Sequence, residues 1–285
     1  RRPVVVGFLG GVSSAGWLET ARAQACLQGL AEAGYVEGRN LTIDYRWADG
    51  DHDRLPLLAK ALVERHVAVI VALTLPAALA AKAATATIPI VFLMGADPVR
   101  LGVVPSLNRP GGNVTGITAM FGELGPKRLE LLRELVPGAG LIGVLVNPRN
   151  PNAESNLGDI ETAARAVNQP ILVQTVRNVS EIDGAFQAFV QRGVQALLIS
   201  DDILMASERP RIVGLAAHHR LPTIHFSHDF VTAGGLISYG SAVRPIGRDL
   251  GVHTGRVLNG AKPADLPVMQ PTIFELVINL KTAKA

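Results

Sequence analysis

The residues best suited to chemistry follow short apolar runs along the chain. Hydroxyl, amide and carboxylate side chains recur directly after these runs, at positions 10–14, 74–76, 95–98, 147–152, 200–202 and 227–229. Carboxylates there can pair with a ligand ammonium, and helix N-termini can bind a ligand carboxylate or hydroxyl. Single positions have a structural explanation too, because Ser14 and Thr74 are good helix caps and Asp97 before Pro98 opens a common turn. Taken together, the set predicts recognition of a small polar molecule.

Motifs for covalent, nucleotide or metal chemistry are weak or missing. The run at 7–11 lacks the G-x-G-x-x-G spacing, and neither a G-x-x-x-x-G-K-[ST] loop nor a G-x-S-x-G elbow occurs. His225 and His228 with Asp229 could ligate a metal, and Asp201 with Asp202 could serve acid–base chemistry. No further cluster or nucleophile accompanies either group. We therefore expect no catalytic residue, no bound metal and no cofactor.

The composition argues against a nucleic-acid-binding protein and against a membrane-spanning one. The chain has 285 residues with a net charge of +3, and its 27 basic and 24 acidic residues are interleaved. This small excess gives little field for capturing nucleic acid. Apolar runs of 6 to 8 residues are far shorter than the roughly 20 that span a membrane. One cysteine, Cys26, allows no internal disulfide. No signal peptide or initiator methionine precedes the first apolar run, which suggests a trimmed start.

Strand-like and helix-like segments alternate, which is typical of parallel α/β architecture. The first series predicts strands at 4–9, 41–46, 67–72, 88–93 and 114–117, with helices at 17–33, 53–65, 76–85 and 101–107. The second predicts strands at 141–146, 171–176, 196–200 and 223–226, a weak strand at 235–239, and helices at 123–135, 153–167, 181–192 and 205–220. Two series predict two doubly wound parallel-sheet lobes, with a single eight-fold barrel as the alternative. Ligands of such sheets bind beyond the carboxyl ends of the strands.

Several stretches resemble one known family. The likeness is clear at 30–48, where LAEAGYVEGRNL is followed by DYRWA. It continues through 76–92, 97–99 and 109–116, and it closes with 260–267 and 274–283. In these stretches the chain resembles ABC-transporter substrate-binding proteins of the type I periplasmic-binding-protein fold, a family with tryptophan- and tyrosine-binding members. The likeness covers almost the whole chain.

The resemblance implies a periplasmic or extracellular, membrane-anchored receptor of an ABC importer, with a permease and its ATPase subunit as partners. It also implies a ligand such as an amino acid or an aromatic compound, bound in the cleft between the lobes without chemical change. We expect a monomer that binds no nucleic acid. The family's ligand contacts carry over to Ser13, Ser14, Thr74, Asp97, Asn147, Asn152, Asp201 and Asp202. Trp17 and Tyr239 are the aromatic residues expected to stack on a ligand.

The fold that the resemblance implies has three crossings between its lobes. We expect them near 118–119, 240–241 and 266–267, so that the N-terminal lobe takes 1–118 and 241–266 and the C-terminal lobe takes 119–240 and 267–285. Hinge closure around the ligand is the expected mechanism. Two alternatives stay open. One is the effector-binding domain of a transcription regulator, which shares the fold and would need a helix-turn-helix module; the other is an α/β enzyme.

Overall fold

The chain folds into two compact units. The computed structural model describes residues 3–11, 17–18, 20–119 and 123–284. Unit 1 takes Arg1–Met120 and Ala242–Ile273, and unit 2 takes Phe121–Ser241 and Phe274–Ala285, so the chain passes between the units three times. Among the described residues no helix is long and apolar enough to cross a membrane.

Strands and helices alternate through both units. The strands are β1 (Val4–Gly10), β2 (Leu41–Trp47), β3 (Val69–Ala72), β4 (Ile90–Met94), β5 (Val114–Thr118), β6 (Ile142–Val146), β7 (Ile171–Thr175), β8 (Ala196–Ile199), β9 (Thr223–His225), β10 (Ile237–Ser241) and β11 (Phe274–Ile278). The helices are α1 (Ala21–Glu32), α2 (Leu55–Glu64), α3 (Leu75–Ala84), α4 (Gly125–Leu135), α5 (Ala153–Ala166), α6 (Ile182–Gln191), α7 (Ile203–Ser207), α8 (Arg209–His218), α9 (His228–Thr232) and α10 (Val243–Leu258).

Each unit contains one sheet. The unit 1 sheet has the strand order β2-β1-β3-β4-β5 and is parallel throughout. The unit 2 sheet has the order β11-β10-β9-β8-β6-β7, and β11 alone runs antiparallel to its neighbour. Every residue of the central strands β3, β4, β6 and β8 is buried, as expected for parallel strands covered on both faces. The predicted α/β architecture with two sheets is confirmed, and the single-barrel alternative is wrong.

Two predicted helices need correction, and one helix was not predicted. The predicted helix at 101–107 is a series of turns, because Gly102 adopts a φ of +66° that a right-handed helix does not accommodate. The predicted helix at 205–220 is two helices, since Asp202 caps α7 and Pro210 stands in the first turn of α8. Helix α10 carries small and polar residues through its length and was not anticipated.

The last passage between the units comes later than the sequence suggested. The structure changes units after Ser241 and after Ile273. The segment after Pro267 stays with unit 1 because its backbone bonds there: Val268 N donates to Leu107 O at 2.7 Å and Met269 N to Gly116 O at 2.9 Å. The next residues after that segment enter β11, which pairs with β10 in unit 2.

Candidate functional site

Each sheet collects polar loop residues at one edge. The parallel strands of a sheet end on the same side, so the loops after neighbouring strands lie side by side. In unit 1, Thr74 follows β3 and Asp97 follows its neighbour β4. In unit 2, Asn147 follows β6 and Asp201 follows its neighbour β8. These are the carboxyl edges of the two sheets, where the sequence placed the ligand-binding residues.

Asp202 and Asn147 form the centre of the unit 2 edge. Asn147 Nδ2 donates to Asp202 Oδ1 at 2.9 Å, and the backbone N–H of Leu204 donates to the same oxygen at 2.8 Å. Asn147 Oδ1 in turn accepts from the backbone N–H of Arg149 at 3.0 Å. Both side chains are buried: Asn147 is 2% exposed and Asp202 is 4% exposed. The carboxylate is therefore held in a fixed orientation by two donors.

Three more buried polar side chains belong to this edge. Asn152 stands at the N-cap position of α5 without a side-chain capping hydrogen bond, Asn156 lies one turn further along the helix, and Ser200 directly follows β8. All three are 4% exposed. Asn152 Oδ1, Asn156 Oδ1 and Ser200 Oγ have no hydrogen-bond partner within the part of the chain that the structure describes. A buried polar atom without a partner costs about 1–3 kcal/mol, so these atoms are suited to hydrogen-bond a ligand.

A buried arginine bonds the backbone of Tyr239 and is influenced electrostatically by Asp201. Arg128, on α4, is completely buried, and its Nε donates to Tyr239 O at 2.8 Å. Burial lowers the pKa of the guanidinium to about 10, while the nearby groups of Asp201, Glu123 and Tyr239 favour its charged form. Arg128 is therefore positive at neutral pH. The half-buried Tyr239 packs against the unit 2 core, and the half-buried Asp201 accepts at its backbone O from Asn150 Nδ2 at 2.9 Å.

Aromatic rings cluster at the corresponding edge of unit 1. Trp47 ends β2 and pairs in register with Gly10, the last residue of β1. A Cβ at position 10 would collide with the Trp47 indole, so glycine is what lets the ring lie across the end of β1. Tyr45 stacks on Trp47 with 5.9 Å between ring centroids, and Trp17 lies 6.4 Å from Trp47. Trp47 Nε1 is buried without a hydrogen-bond partner among the described residues.

The remaining unit 1 candidates hold backbone turns. Thr74 Oγ1 accepts from Ala77 N at 3.3 Å as the N-cap of α3. Asp97 Oδ1 accepts from Val99 N at 2.8 Å and from Arg100 N at 3.1 Å. Both side chains are half-buried, whereas Trp17 is 5% exposed against Trp47. Ser13 and Ser14 lie outside the described residues.

Three residues at these edges were missing from the sequence-derived set: Arg128, Asn156 and Trp47. Ser200 lay in the predicted stretch 200–202 but was not among the expected ligand contacts. Trp47 had a usable signal, because a glycine at the end of one strand lies in register with an aromatic residue at the end of the next. Asn156 repeats the asparagine at position 152 with helical spacing. Arg128 had no such signal, since an arginine in an amphipathic helix usually faces water.

His225 and Cys26 lie in the cores, whereas His228 is half-buried with its Nδ1 3.4 Å from Glu275 Oε1. His225 Nε2 is 2.9 Å from Thr223 Oγ1, and its ring stacks on Phe230 at 4.4 Å. Burial, with a smaller effect of the Arg128 charge, lowers the pKa of His225 to about 3. Burial raises the pKa of the Cys26 thiol to about 12. Among the described residues, no three His, Cys, Asp or Glu side chains are grouped so that they could hold a metal ion.

Removing the Asp202 carboxylate should destabilise the protein. We expect Asp202→Ala to lower the free energy of unfolding by about 1–3 kcal/mol, because α7 loses its cap and Asn147 Nδ2 loses its acceptor. Urea denaturation followed by circular dichroism measures the loss. Asp202→Asn keeps an acceptor oxygen and should lose less. Equal stability of the alanine variant and the unsubstituted protein would contradict the structural role given to this pair.

Comparison with known proteins places the chain in a family. A family model described as ABC transporter substrate binding protein matches residues 15–285. Over 259 residues the chain is 30% identical to the tyrosine-binding protein of Clostridioides difficile (strain R20291). The matched region covers 91% of this chain and 74% of that relative.

Two solved structures are similar over nearly their whole length. The first is a conserved domain protein from Vibrio cholerae, with 28% identity and a TM-score of 0.89. The second is an ABC domain in complex with L-Trp from Streptococcus pneumonia, with 28% identity and a TM-score of 0.86. In both cases the match covers 99% of this chain and 94% of the other. Because the matching family consists of substrate-binding proteins rather than enzymes and its model covers almost the entire sequence, this chain belongs to the ABC transporter substrate-binding protein family.

Proposed function

We propose that this chain is the extracytoplasmic receptor of an ABC importer and that it binds an α-amino acid with an aromatic side chain. The observation that carries the proposal is the polar edge of unit 2, whose buried side chains are Asn147, Asn152, Asn156, Ser200 and Asp202. Carboxylate and amide oxygens accept hydrogen bonds from an ammonium, and amide N–H groups and hydroxyls donate to a carboxylate. An α-amino acid presents both charged groups on neighbouring atoms.

Two further facts support an aromatic side chain. The relative from Clostridioides difficile is named for tyrosine, and the Streptococcus pneumonia structure contains L-Trp. In unit 1, the half-buried rings of Tyr45 and Trp47 offer aromatic surface at the carboxyl edge of the sheet. An aromatic pair in offset or edge-to-face contact contributes about 0.5–1.5 kcal/mol beyond the area that it buries.

The proposed mechanism is hinge closure without chemical change of the ligand. The chain passes between its units three times, after Met120, Ser241 and Ile273, and rotation would be absorbed at these positions. A ligand that binds both units favours the closed state by its differential affinity, and about 5.5 kcal/mol of such affinity reverses a 99:1 preference for the open state. A permease, driven by its ATPase, would then accept the ligand from the closed receptor.

Titration calorimetry with both enantiomers of tyrosine and of tryptophan tests the ligand class. We expect the L forms to bind and the D forms to bind at least about tenfold more weakly, because a buried polar site rejects a ligand that leaves its groups unpaired. Failure of every L-amino acid to bind correctly folded protein would refute the amino-acid assignment.

Mass spectrometry of the recovered ligand should find it unchanged; a reaction product would favour the enzyme alternative. In small-angle scattering, an equal radius of gyration with and without saturating ligand would refute closure.

Removing the Asp201 carboxylate should weaken binding. We expect Asp201→Ala to raise the Kd for L-tyrosine by about tenfold or more, since the ligand ammonium loses a charged acceptor. Asp183→Ala is the matched control, because this carboxylate also lies in unit 2 but pairs with Arg211 at 2.8 Å between α6 and α8. An unchanged Kd in Asp201→Ala would exclude Asp201 from ammonium recognition.

A further inference from the structure

Unit 2 contains a cavity that takes no part in the proposed amino-acid site. Its volume is about 320 Å³, which is the size of a site for a small molecule. The cavity lies at the amino ends of β9 and β10, because Thr223 begins β9 and Leu236 directly precedes β10. The polar edge with Asn147 and Asp201 lies at the carboxyl ends of strands in the same sheet. The two places are therefore at opposite edges of one sheet.

Hydrogen bonds fix the walls of this cavity. The turn that contains Thr282 forms one wall, because Thr282 Oγ1 donates to Gly234 O at 2.8 Å and Asn279 N donates to Leu236 O at 2.8 Å. The apolar part of the lining is buried or half-buried and includes Val213, Ala216, Leu221, Pro222 and Leu236. A cavity with bonded walls exists before a ligand arrives, so binding costs little reorganisation.

Among the described residues, three polar side chains line the cavity, and two of them already have partners. Thr282 donates to the Gly234 carbonyl, and Thr223 Oγ1 shares a hydrogen bond with His225 Nε2 at 2.9 Å. The third is Arg220, whose exposed guanidinium makes neither a hydrogen bond nor an ion pair within the part of the chain that the structure describes. A polar ligand group in this cavity would therefore meet a free cation, which an anionic group fits best.

The backbone of Arg220 does not favour an arginine either. Leu221 N donates to Ala216 O at 2.9 Å and Arg220 N to Ala217 O at 3.1 Å, so α8 ends in a Schellman motif. Arg220 takes the left-handed position of this motif with a φ of +53°. Glycine is usual at that position, because a Cβ costs conformational energy at positive φ. Neither the backbone nor a contact among the described residues explains the arginine, whereas a carboxylate bound at the cavity would.

We propose that this cavity is a second ligand site, which takes a small amphiphile with an apolar chain and one carboxylate. The apolar chain fills the space between α8 and the start of β10, and the carboxylate pairs with Arg220 at the rim. The planar guanidinium matches a carboxylate with two parallel hydrogen bonds. All lining residues belong to unit 2, so binding needs no closure of the hinge.

Hexanoate is the probe, and nitrogen-15 NMR of the full chain locates it. We expect hexanoate to shift the backbone signals of cavity residues such as Val213 and Leu236. The Kd should fall about fourfold for each CH₂ added from butanoate to hexanoate, because each methylene is buried. Hexan-1-ol should bind about fivefold more weakly than hexanoate, since it cannot form an ion pair with Arg220. Equal binding of the acid and the alcohol, shifts that map away from the cavity, or no binding at all would overturn the proposal.

Arg220→Gly removes the charge at a position whose φ favours glycine, so this variant should fold normally. We expect its Kd for hexanoate to rise about fivefold, while its Kd for hexan-1-ol stays unchanged. Asn168→Gly is the matched control: Asn168 has a φ of +51° in the same motif at the end of α5, where Gln169 N donates to Ala164 O at 2.9 Å. Asn168 does not line the cavity, so neither Kd should change. An unchanged Kd of Arg220→Gly for hexanoate would overturn the carboxylate assignment.

Filling the cavity tests the apolar part of the site. Ala216 lies on α8, lines the cavity and is 5% exposed. We expect Ala216→Leu to raise the Kd for both probes by at least about tenfold, because the larger side chain occupies the space of the alkyl chain. If Ala216→Leu does not fold, Ala217→Leu takes its place, since Ala217 also lines the cavity but is exposed. Undiminished hexanoate binding in the folded variant would overturn the site.

A competition measurement separates this inference from the proposed function. Hexanoate should bind with the same Kd in the presence and absence of L-tyrosine, because the cavity and the polar edge of unit 2 share no residue. If the protein binds no amino acid, the proposed function fails while the hexanoate measurements still decide the second site. Displacement of hexanoate by L-tyrosine would place hexanoate at the amino-acid site and overturn the proposal.

Discussion

Gly251→Ala is expected to lower the free energy of unfolding by about 3 kcal/mol. The reason is the packing of α10 along α1. A Cβ at position 251 would collide with the carbonyl oxygen of Cys26 and would lie 2.7 Å from the backbone N of Leu30. Both neighbours are backbone atoms, so no side chain can rotate away and the two helices must move apart.

The close approach is a repeated feature of this helix pair. Gly247, Gly251 and Gly255 recur every four residues on α10, and Gly29 lies opposite them on α1. A Cβ at 247 would collide with the Arg22 carbonyl, and one at 255 with the Ala33 side chain. Residues spaced by four share one face of a helix. The face is therefore built of glycine because the partner backbone occupies the space that side chains would take.

Gly184→Ala provides the matched control. Gly184 lies within α6, and a Cβ added there meets no atom within 4 Å. Alanine should be neutral or stabilising by up to about 1 kcal/mol at this position, since glycine is the poorer helix former. Circular dichroism follows both variants during urea denaturation, and tryptophan fluorescence follows unit 1 separately because both tryptophans, Trp17 and Trp47, belong to it. Equal stability of Gly251→Ala and Gly184→Ala would contradict the packing argument.

The repeating strand–helix pattern predicted most of the fold, because the buried parallel strands are short apolar runs with clear ends. Where prediction failed, distant contacts decide the structure. The glycine face of helix α10 is explained only by its close packing against α1. Strand β11 forms because it pairs antiparallel with β10. Its outward residues Phe274, Leu276 and Ile278 are exposed, so the strand lacks the buried pattern of the others.

The polar edge of unit 2 was predictable in part for a related reason. Asn147, Asn152, Asp201 and Asp202 lie in the loops that follow β6 and β8, so the position of each strand end was enough to select them. The hydrogen bond between Asn147 and Asp202 joins residues 55 positions apart, and it depends on β6 and β8 being neighbours. Arg128 comes from the interior of a helix, and its partner Tyr239 is 111 positions away. Sequence spacing carries no information about such a pair.

We expect both units to lose stability in mild acid, because each one buries a histidine whose pKa is lowered. Burial, with a smaller effect of Arg256, lowers the pKa of His253 in unit 1 from its usual 6.5 to about 4. Burial likewise lowers the pKa of His225 in unit 2 to about 3. Below pH 6.5 the unfolded chain binds protons that the folded units do not, so stability falls with pH until the folded pKa is reached. Each histidine contributes about 1.4 kcal/mol per pH unit.

Hydrogen bonding fixes the protonation state of His253. Thr115 Oγ1 donates to Leu266 O at 2.7 Å, so the hydroxyl accepts from His253 Nε2 at 3.0 Å. Nε2 therefore carries the proton, and Nδ1 is buried without a hydrogen-bond partner among the described residues. His253 is only 2% exposed, so a second proton on Nδ1 would bury a charge that has no partner. The neutral ring is thus required by its surroundings.

Urea denaturation followed by tryptophan fluorescence at about pH 6.5 and pH 5 tests this linkage in unit 1, with an expected loss of about 1.5 kcal/mol for His253. His253→Gln retains a donor for Thr115 but does not titrate, so its loss should be smaller by that amount. His66→Asn is the control: His66 is exposed with a φ of +51°, which asparagine tolerates. The control should match the unsubstituted protein, because it replaces an exposed histidine and leaves the buried one in place. If His253→Gln showed the full loss, another group would have to titrate in its place.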